Sequence, residues 1–340
     1  MSYLSKKMSG KTPYEPLIGE YKIRLDANES PLSLTDEVLD IFAKEMKNLN
    51  INRYPDPSST IIREAFAKKF NLDHENIVAG NGSDELISVI MTSLLDKGDT
   101  LCVAYPDFSM YAFYADLSEN QVAIYNKEKD FTLDSLSEFV NENKYRAVIF
   151  SNPCNPTGDG FMREDVIRFI ENTKALCIID EAYMDFWDQS ILDVADKYEN
   201  LIVLKTLSKA YGAAGIRLGF AIGHKSLINA LNVARSPYNV NTLSQTLGKI
   251  ILENMPDNSK YLANQAKKLE VKLKALLPDA IITPTKTNFV YFSHPDAKKI
   301  YEELLKQKIA IRYFKPDRLR ITASTDDELC ELYKAITNII

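Results

Sequence analysis

Glycine is scarce in this 340-residue chain: there are 12, about half the usual ~7% share. With 45% hydrophobic residues, that scarcity excludes collagen, glycine-rich linkers and a disordered tail as the main content. Histidine is scarcer still. The three present (His74, His224 and His294) include no two at a metal-ligand spacing, so neither a metal site nor a histidine-based triad is expected. The four cysteines, Cys102, Cys154, Cys177 and Cys330, form no CxxC pair. Three lie in or beside apolar stretches and read as buried thiols of a reducing cytoplasm. No apolar run approaches the ~18 residues of a membrane span, and residues 1–10 carry lysines without the apolar stretch of a signal peptide. Basic residues are outnumbered, 41 against 47, giving a net charge of −6. That balance argues against a nucleic-acid partner, though an anion can still bind where basic residues converge on one cleft. Whatever chemistry the chain performs, it borrows its reactive group.

At about 150 residues per domain, the length suggests two domains. Helical and strand patterns alternate, which predicts an α/β fold: a large domain with a mainly parallel sheet flanked by helices, and a smaller α+β domain. Residues 58–70 are amphipathic behind a hydroxyl N-cap, and a second helix runs over 84–95. Short apolar runs at 100–104, 147–150, 176–179, 201–204 and 218–222 read as buried strands. Helices are expected at 163–172 and 259–277, and a last one opens on a capping box, Thr325-x-x-Glu328.

Four polar motifs sit at predicted strand ends, where open α/β sheets bind ligands. Gly80-Asn81-Gly82-Ser83-Asp84 precedes a helix, whose free amides and positive dipole end suit a phosphate; taken alone it is equally an ordinary capped turn. Ser151-Asn152-Pro153-Cys154-Asn155-Pro156-Thr157-Gly158 is at least a rigid turn, and at most a device presenting the Asn155 amide to a cleft. Asp180 follows a buried strand, a costly place for a carboxylate unless it meets a pyridinium, an arginine or a metal, or merely caps a helix. Lys209, in Thr206-Leu207-Ser208-Lys209, lies between apolar flanks where its amine can be freed as a nucleophile. The nearby hydroxyls and Arg217 suit a phosphate. A phosphate, a phenolic oxygen, a pyridinium nitrogen and an aldehyde that captures lysine together describe pyridoxal 5'-phosphate.

On these motifs the chain resembles the fold-type I pyridoxal-phosphate aminotransferases. Thr12-Pro13-Tyr14, Leu25-Asp26-Ala27-Asn28-Glu29, Arg53-Tyr54-Pro55-Asp56-Pro57 and Leu319-Arg320-Ile321-Thr322 are similar to the histidinol-phosphate subgroup. The resemblance implies a cofactor-binding domain at 30–245 and a small domain made of 1–29, with its N-terminal arm, and 246–340. It implies that Lys209 captures the cofactor aldehyde and then shuttles a proton, and that Asp180 pairs with the ring nitrogen. Asn155 and Tyr183 are expected at the phenolic oxygen and Phe108 against the ring face. Gly82, Ser83, Thr206, Ser208 and Arg217 are expected at the phosphate, with Tyr54 reaching the phosphate of a neighbouring subunit in a homodimer with shared sites. Tyr14, Asn28, Arg312 and Arg320 are expected to bind substrate, Arg312 being otherwise a surface ion pair. The implied partners are a small-molecule amino donor, histidinol phosphate, and a 2-oxo acid, 2-oxoglutarate. A threonine-phosphate decarboxylase and an aromatic or broad-specificity aminotransferase are the alternatives. Ser30-Pro31-Leu32-Ser33 departs from the NPYG that the subgroup commonly carries there. Eight glycines (80, 82, 158, 160, 212, 215, 219 and 223) fall in the segments expected to build the cofactor site.

Overall fold

The computed structural model of the chain describes residues 3, 5–13, 15–127 and 131–340. Its main sheet has seven strands in the order Ile77–Asn81, Leu218–Gly223, Leu201–Thr206, Leu176–Asp180, Ala147–Ser151, Thr100–Tyr105, Gln121–Asn126. Six run one way; Leu218–Gly223 runs against both neighbours. Continuous apolar runs make such strands because both sheet faces are covered. Val148 and Phe150 face one core, with Cys177 and Ile179, while Ala147 and Ile149 face the other, with Leu176 and Ile178.

A third core gathers around a four-stranded antiparallel sheet, Arg312–Phe314, Arg318–Thr322, Phe289–Ser293 and Ile281–Ile282. Ile23 and Leu25, from the start of the chain, are buried in it, and Ile23–Arg24 pairs in parallel with Ile309–Ala310. The helix Thr242–Asn254 packs Ile250, Ile251 and Leu252 into the first core. Met255, just after the end of that helix, is buried in the same core.

Each of the five predicted buried strands runs one or two residues beyond its apolar stretch; four end on a polar or small residue, Ser151, Asp180, Thr206 and Gly223, and the fifth on Tyr105. Two capping expectations are corrected. Ser59 precedes the helix Thr60–Phe70 without a side-chain cap. Instead the Asp56 carboxylate accepts the amides of Ser58, at 2.9 Å, and Thr60, at 2.6 Å. Burial opposes its charge, but these bonds hold the carboxyl below its usual value. In the last helix Thr325 accepts the Glu328 amide, but the Glu328 carboxylate takes the Ser324 hydroxyl, so only half of the capping box forms. Among the described residues no helix is long and apolar enough to cross a membrane.

Candidate active site

A cleft of about 1320 Å³ opens at the carboxyl ends of the parallel strands, walled on its far side by Arg312, Phe314, Arg318 and Arg320 of the smaller sheet. Of the fifteen residues expected at the site, thirteen line it: Gly82, Ser83, Phe108, Asn155, Asp180, Tyr183, Thr206, Ser208, Lys209, Arg217, Asn28, Arg312 and Arg320. Tyr54 is not among the lining residues; it is exposed and stacked on Tyr238 with ring centroids 4.5 Å apart. Tyr14 lies outside the described residues.

At one end stands an anion cradle. The helix Gly82–Ser93 starts on Gly82 at φ +78°, and a Cβ there would sit 2.7 Å from a guanidinium nitrogen of Arg217. Arg217 also meets Asp84 at 3.3 Å. The Thr206 hydroxyl accepts the Ser208 amide at 3.1 Å, and its oxygen lies 3.0 Å from the Ser208 hydroxyl. Thr206, which also donates to the Leu218 carbonyl at 3.1 Å, thus braces Ser208 at the edge of the cradle. Gly219 lets this end close up, since a Cβ there would meet Gly82 C and Ser83 N at 2.4 Å. Not every glycine of the expected set serves the cleft. Gly160 makes room for the Trp187 ring and Gly223 for the Leu201 carbonyl.

In the middle lies Asp180, 4% exposed. Its carboxylate accepts the Tyr111 hydroxyl at 2.8 Å and the Ala182 amide at 3.0 Å. Burial pushes its carboxyl up to about 6, with both hydrogen bonds pulling part of the way back. Burial and the Asp180 charge in turn raise the Tyr111 phenol well above its ordinary value. Phe108 packs edge-on to Tyr111 at 5.5 Å.

Opposite, the Lys209 ammonium donates to the Ala27 carbonyl at 3.1 Å, 5.7 Å from the centre of the Tyr183 ring. Tyr183 Oη accepts the side-chain amide of Asn28 at 2.9 Å. Arg320 donates to the Asn155 carboxamide oxygen and, at 2.8 Å, to the Asp26 carbonyl, with its guanidinium over the rings of Phe289 and Phe314. Arg312 and Arg320 are directly opposed across antiparallel strands, which puts both guanidinium groups on one sheet face.

Sequence reasoning missed three residues. Tyr111 lies in the helix Met110–Leu117, three residues after Phe108, a spacing that could have flagged it. Asp107 and Lys127 form a buried ion pair at 3.2 Å, with the Cys154 sulfur 3.3 Å from the ammonium. Asp107 also accepts the amides of Ser151, at 3.0 Å, and Phe108, at 2.8 Å, tying together the loops that carry Phe108 and Asn155. Burial would lower Lys127, but its acidic surroundings hold it above its usual value, while burial lifts the Cys154 thiol to about 11 and keeps it neutral. Nothing local in the sequence joins these positions, which meet only through the sheet.

The family model for aminotransferase class I and II matches residues 20–336. The histidinol-phosphate aminotransferase of Clostridium novyi (strain NT) is 38% identical over 336 residues, covering 95% of this chain and 93% of the relative. That of Pyrococcus furiosus is 35% identical over 335 residues, covering 96% and 95%. Among solved structures, histidinol-phosphate aminotransferase from Sinorhizobium meliloti in complex with pyridoxal-5'-phosphate superposes with a TM-score of 0.89. The identity is 21%, covering 100% of this chain and 98% of that one. L-threonine-O-3-phosphate decarboxylase from Porphyromonas gingivalis superposes at 0.81 with 20% identity, covering 93% and 98%. At those identities the two structures share a fold with this chain and nothing finer.

Proposed function

Because the chain belongs to the aminotransferase class I and II family, we propose that it exchanges the amino group of histidinol phosphate for the keto group of 2-oxoglutarate. The products are imidazole-acetol phosphate and glutamate. The observation that carries the substrate reading is the directly opposed pair Arg312 and Arg320 on one wall of the cleft. Two guanidinium groups side by side suit substrates that alternate between a phosphate and carboxylates. The names of relatives that match nearly the whole chain point the same way.

The cofactor is pyridoxal phosphate, and the residues present fit it. Asp180 is a buried carboxylate whose raised proton affinity is relieved by a cationic ring nitrogen. The Gly82 turn, the Ser83 and Ser208 hydroxyls and Arg217 make a donor set for its phosphate. When bound, the cofactor supplies an electron-withdrawing ring that acidifies the donor's Cα–H. The chain's own groups do the rest. Asp180 keeps the proton on the ring nitrogen, Asn155 and Tyr183 hold the phenolic oxygen, and Phe108 covers a ring face. The Lys209 amine anchors the aldehyde and, once displaced, carries a proton between carbon atoms. Arg312, Arg320 and Tyr14 receive the anionic end of the substrate. The chain works as a cytoplasmic homodimer in which Tyr54 serves the neighbouring site, and residues 30–245 form the cofactor-binding body.

The test is a half-reaction screen of amino donors on the yellow holoenzyme, read as loss of its visible band. Histidinol phosphate is expected to convert it fastest, and Arg312→Ala to slow that donor at least tenfold more than an unphosphorylated aromatic amino acid. Equal losses on both donors replace this reading by a broad-specificity aminotransferase; carbon dioxide released from threonine phosphate replaces it by a decarboxylase.

A further inference from the structure

Three successive residues near the start of the chain touch three members of the site. The Asp26 carbonyl accepts from Arg320, the Ala27 carbonyl from Lys209, and the Asn28 side-chain amide donates to Tyr183 Oη. The third contact has a direction. Asn28 is 1% exposed and held at φ +54°, a left-handed backbone that asparagine tolerates better than most residues. Its backbone amide donates to Thr322 Oγ1 at 3.1 Å, and its carbonyl accepts from Asn288 at 3.2 Å. Its carboxamide nitrogen faces Tyr183, and its carboxamide oxygen lies 3.2 Å from the Thr322 hydroxyl, whose proton also has the Leu25 carbonyl within reach at 2.9 Å. An amide nitrogen can only donate, so the tyrosine oxygen accepts there and its single proton has to go to another acceptor.

We propose that Asn28 is a positioning residue that sets the polarity of Tyr183: by donating to the phenol oxygen it commits the phenolic proton to the cofactor's oxygen. The substrate contact expected of Asn28 is replaced by this role. Thr322, which accepts the Asn28 backbone amide, lies two residues from Arg320 on the same strand, so the seating of Asn28 also depends on how the strand that receives substrate is placed. The inference rests on the pyridoxal-phosphate reading.

A proton donated to the cofactor's phenolic oxygen favours the charged ring oxygen and lowers the pH at which the nitrogen bonded to Lys209 gives up its proton. That midpoint is read from the visible band of the holoenzyme. Asn28→Asp and Asn28→Gly both accept the left-handed backbone, so they remove the donor with little strain. Asn28→Asp turns the bond round, because a carboxylate takes the tyrosine's proton. It is expected to raise the midpoint by about one unit, as Tyr183→Phe does, and to lower kcat about tenfold with KM for the 2-oxo acid unchanged. Asn28→Gly is expected to raise it less, and to add nothing in a Tyr183→Phe background. A role in folding alone would lower the melting temperature and leave the midpoint where it was. An unmoved midpoint in both single variants, or additive shifts in the double variant, overturns the inference while the functional reading stands. A wild-type chain that takes up no pyridoxal phosphate overturns both.

Discussion

Asp180 is the most demanding group in the cleft, a carboxylate at the end of a buried strand to which, among the described residues, a hydroxyl and an amide donate. Its carboxyl, ordinarily near 3.8, is pushed up to about 6 by burial. The folded, cofactor-free chain therefore binds this proton more tightly than the unfolded chain does. The contribution to stability is most favourable at low pH and is lost as pH rises from the unfolded value through the folded one. At about 1.4 kcal/mol per unit, the loss above that window is about 3 kcal/mol. Asp180→Asn stays neutral throughout, so the cofactor-free variant is expected to melt above the wild type near pH 8 (roughly neutral to basic conditions), with the gap closing as pH falls toward about 4. With cofactor bound the order should reverse, because only the carboxylate meets the ring nitrogen's charge. Thermal unfolding of both forms across pH checks this; a gap independent of pH would refute it. Asp180 was legible in the sequence because an apolar run stops on it. Tyr111 was legible only through its spacing from Phe108, since its bond to Asp180 joins a helix residue to a strand end 69 positions away.

At the scale of elements, the apolar runs located five strands of the main sheet, but not how far they extend or what lies beside them. Strands stop in the sequence where hydrophobicity stops, yet in the sheet they continue while a partner offers backbone groups. Ser151 pairs with Asp180, and Thr206 with Gly219. Ile77–Asn81 is not among the strands the apolar runs predict; pairing with Leu218–Gly223 makes it one. That pairing is why Gly219 approaches the cradle so closely. Gly219→Ala places a methyl 2.4 Å from backbone atoms of Gly82 and Ser83, which cannot turn aside as a side chain can. The variant is expected to lose about 1–3 kcal/mol of stability, as overpacked sites do, and to bind cofactor at least tenfold more weakly. Gly223→Ala is the control, because its methyl meets the Leu201 carbonyl at 2.7 Å, away from the cradle. It should cost stability and leave cofactor affinity nearly intact. Unfolding and cofactor titrations on both variants check the contrast; equal affinity losses would remove Gly219 from the cradle's construction.

The whole molecule joins the cores on the two faces of the main sheet to the core of the smaller sheet, with the first strand of the chain built into the last of these. Residues 26–28 thereby connect the smaller sheet to Lys209 and Tyr183. What a single chain does not use is Tyr54, exposed beside Tyr238 and absent from its own cleft's lining. The proposed homodimer gives it a place, and the proposal makes a prediction that needs no view of the interface. Lys209→Ala removes the amine from the site in its own chain. Tyr54→Ala removes a phosphate contact from the site in the other chain. Each homodimer is expected to be nearly inactive. Mixed dimers from co-expressed or re-associated chains contain one site with neither defect, because that site takes Lys209 from one chain and Tyr54 from the other. Half of the dimers are mixed and each has one complete site, so the mixture should recover about a quarter of the wild-type rate per subunit. If Tyr54 served its own chain, every site in the mixed dimer would carry a defect and no activity would return. Assaying the two variants separately and then after mixing decides between a site shared across the dimer and one completed within each chain.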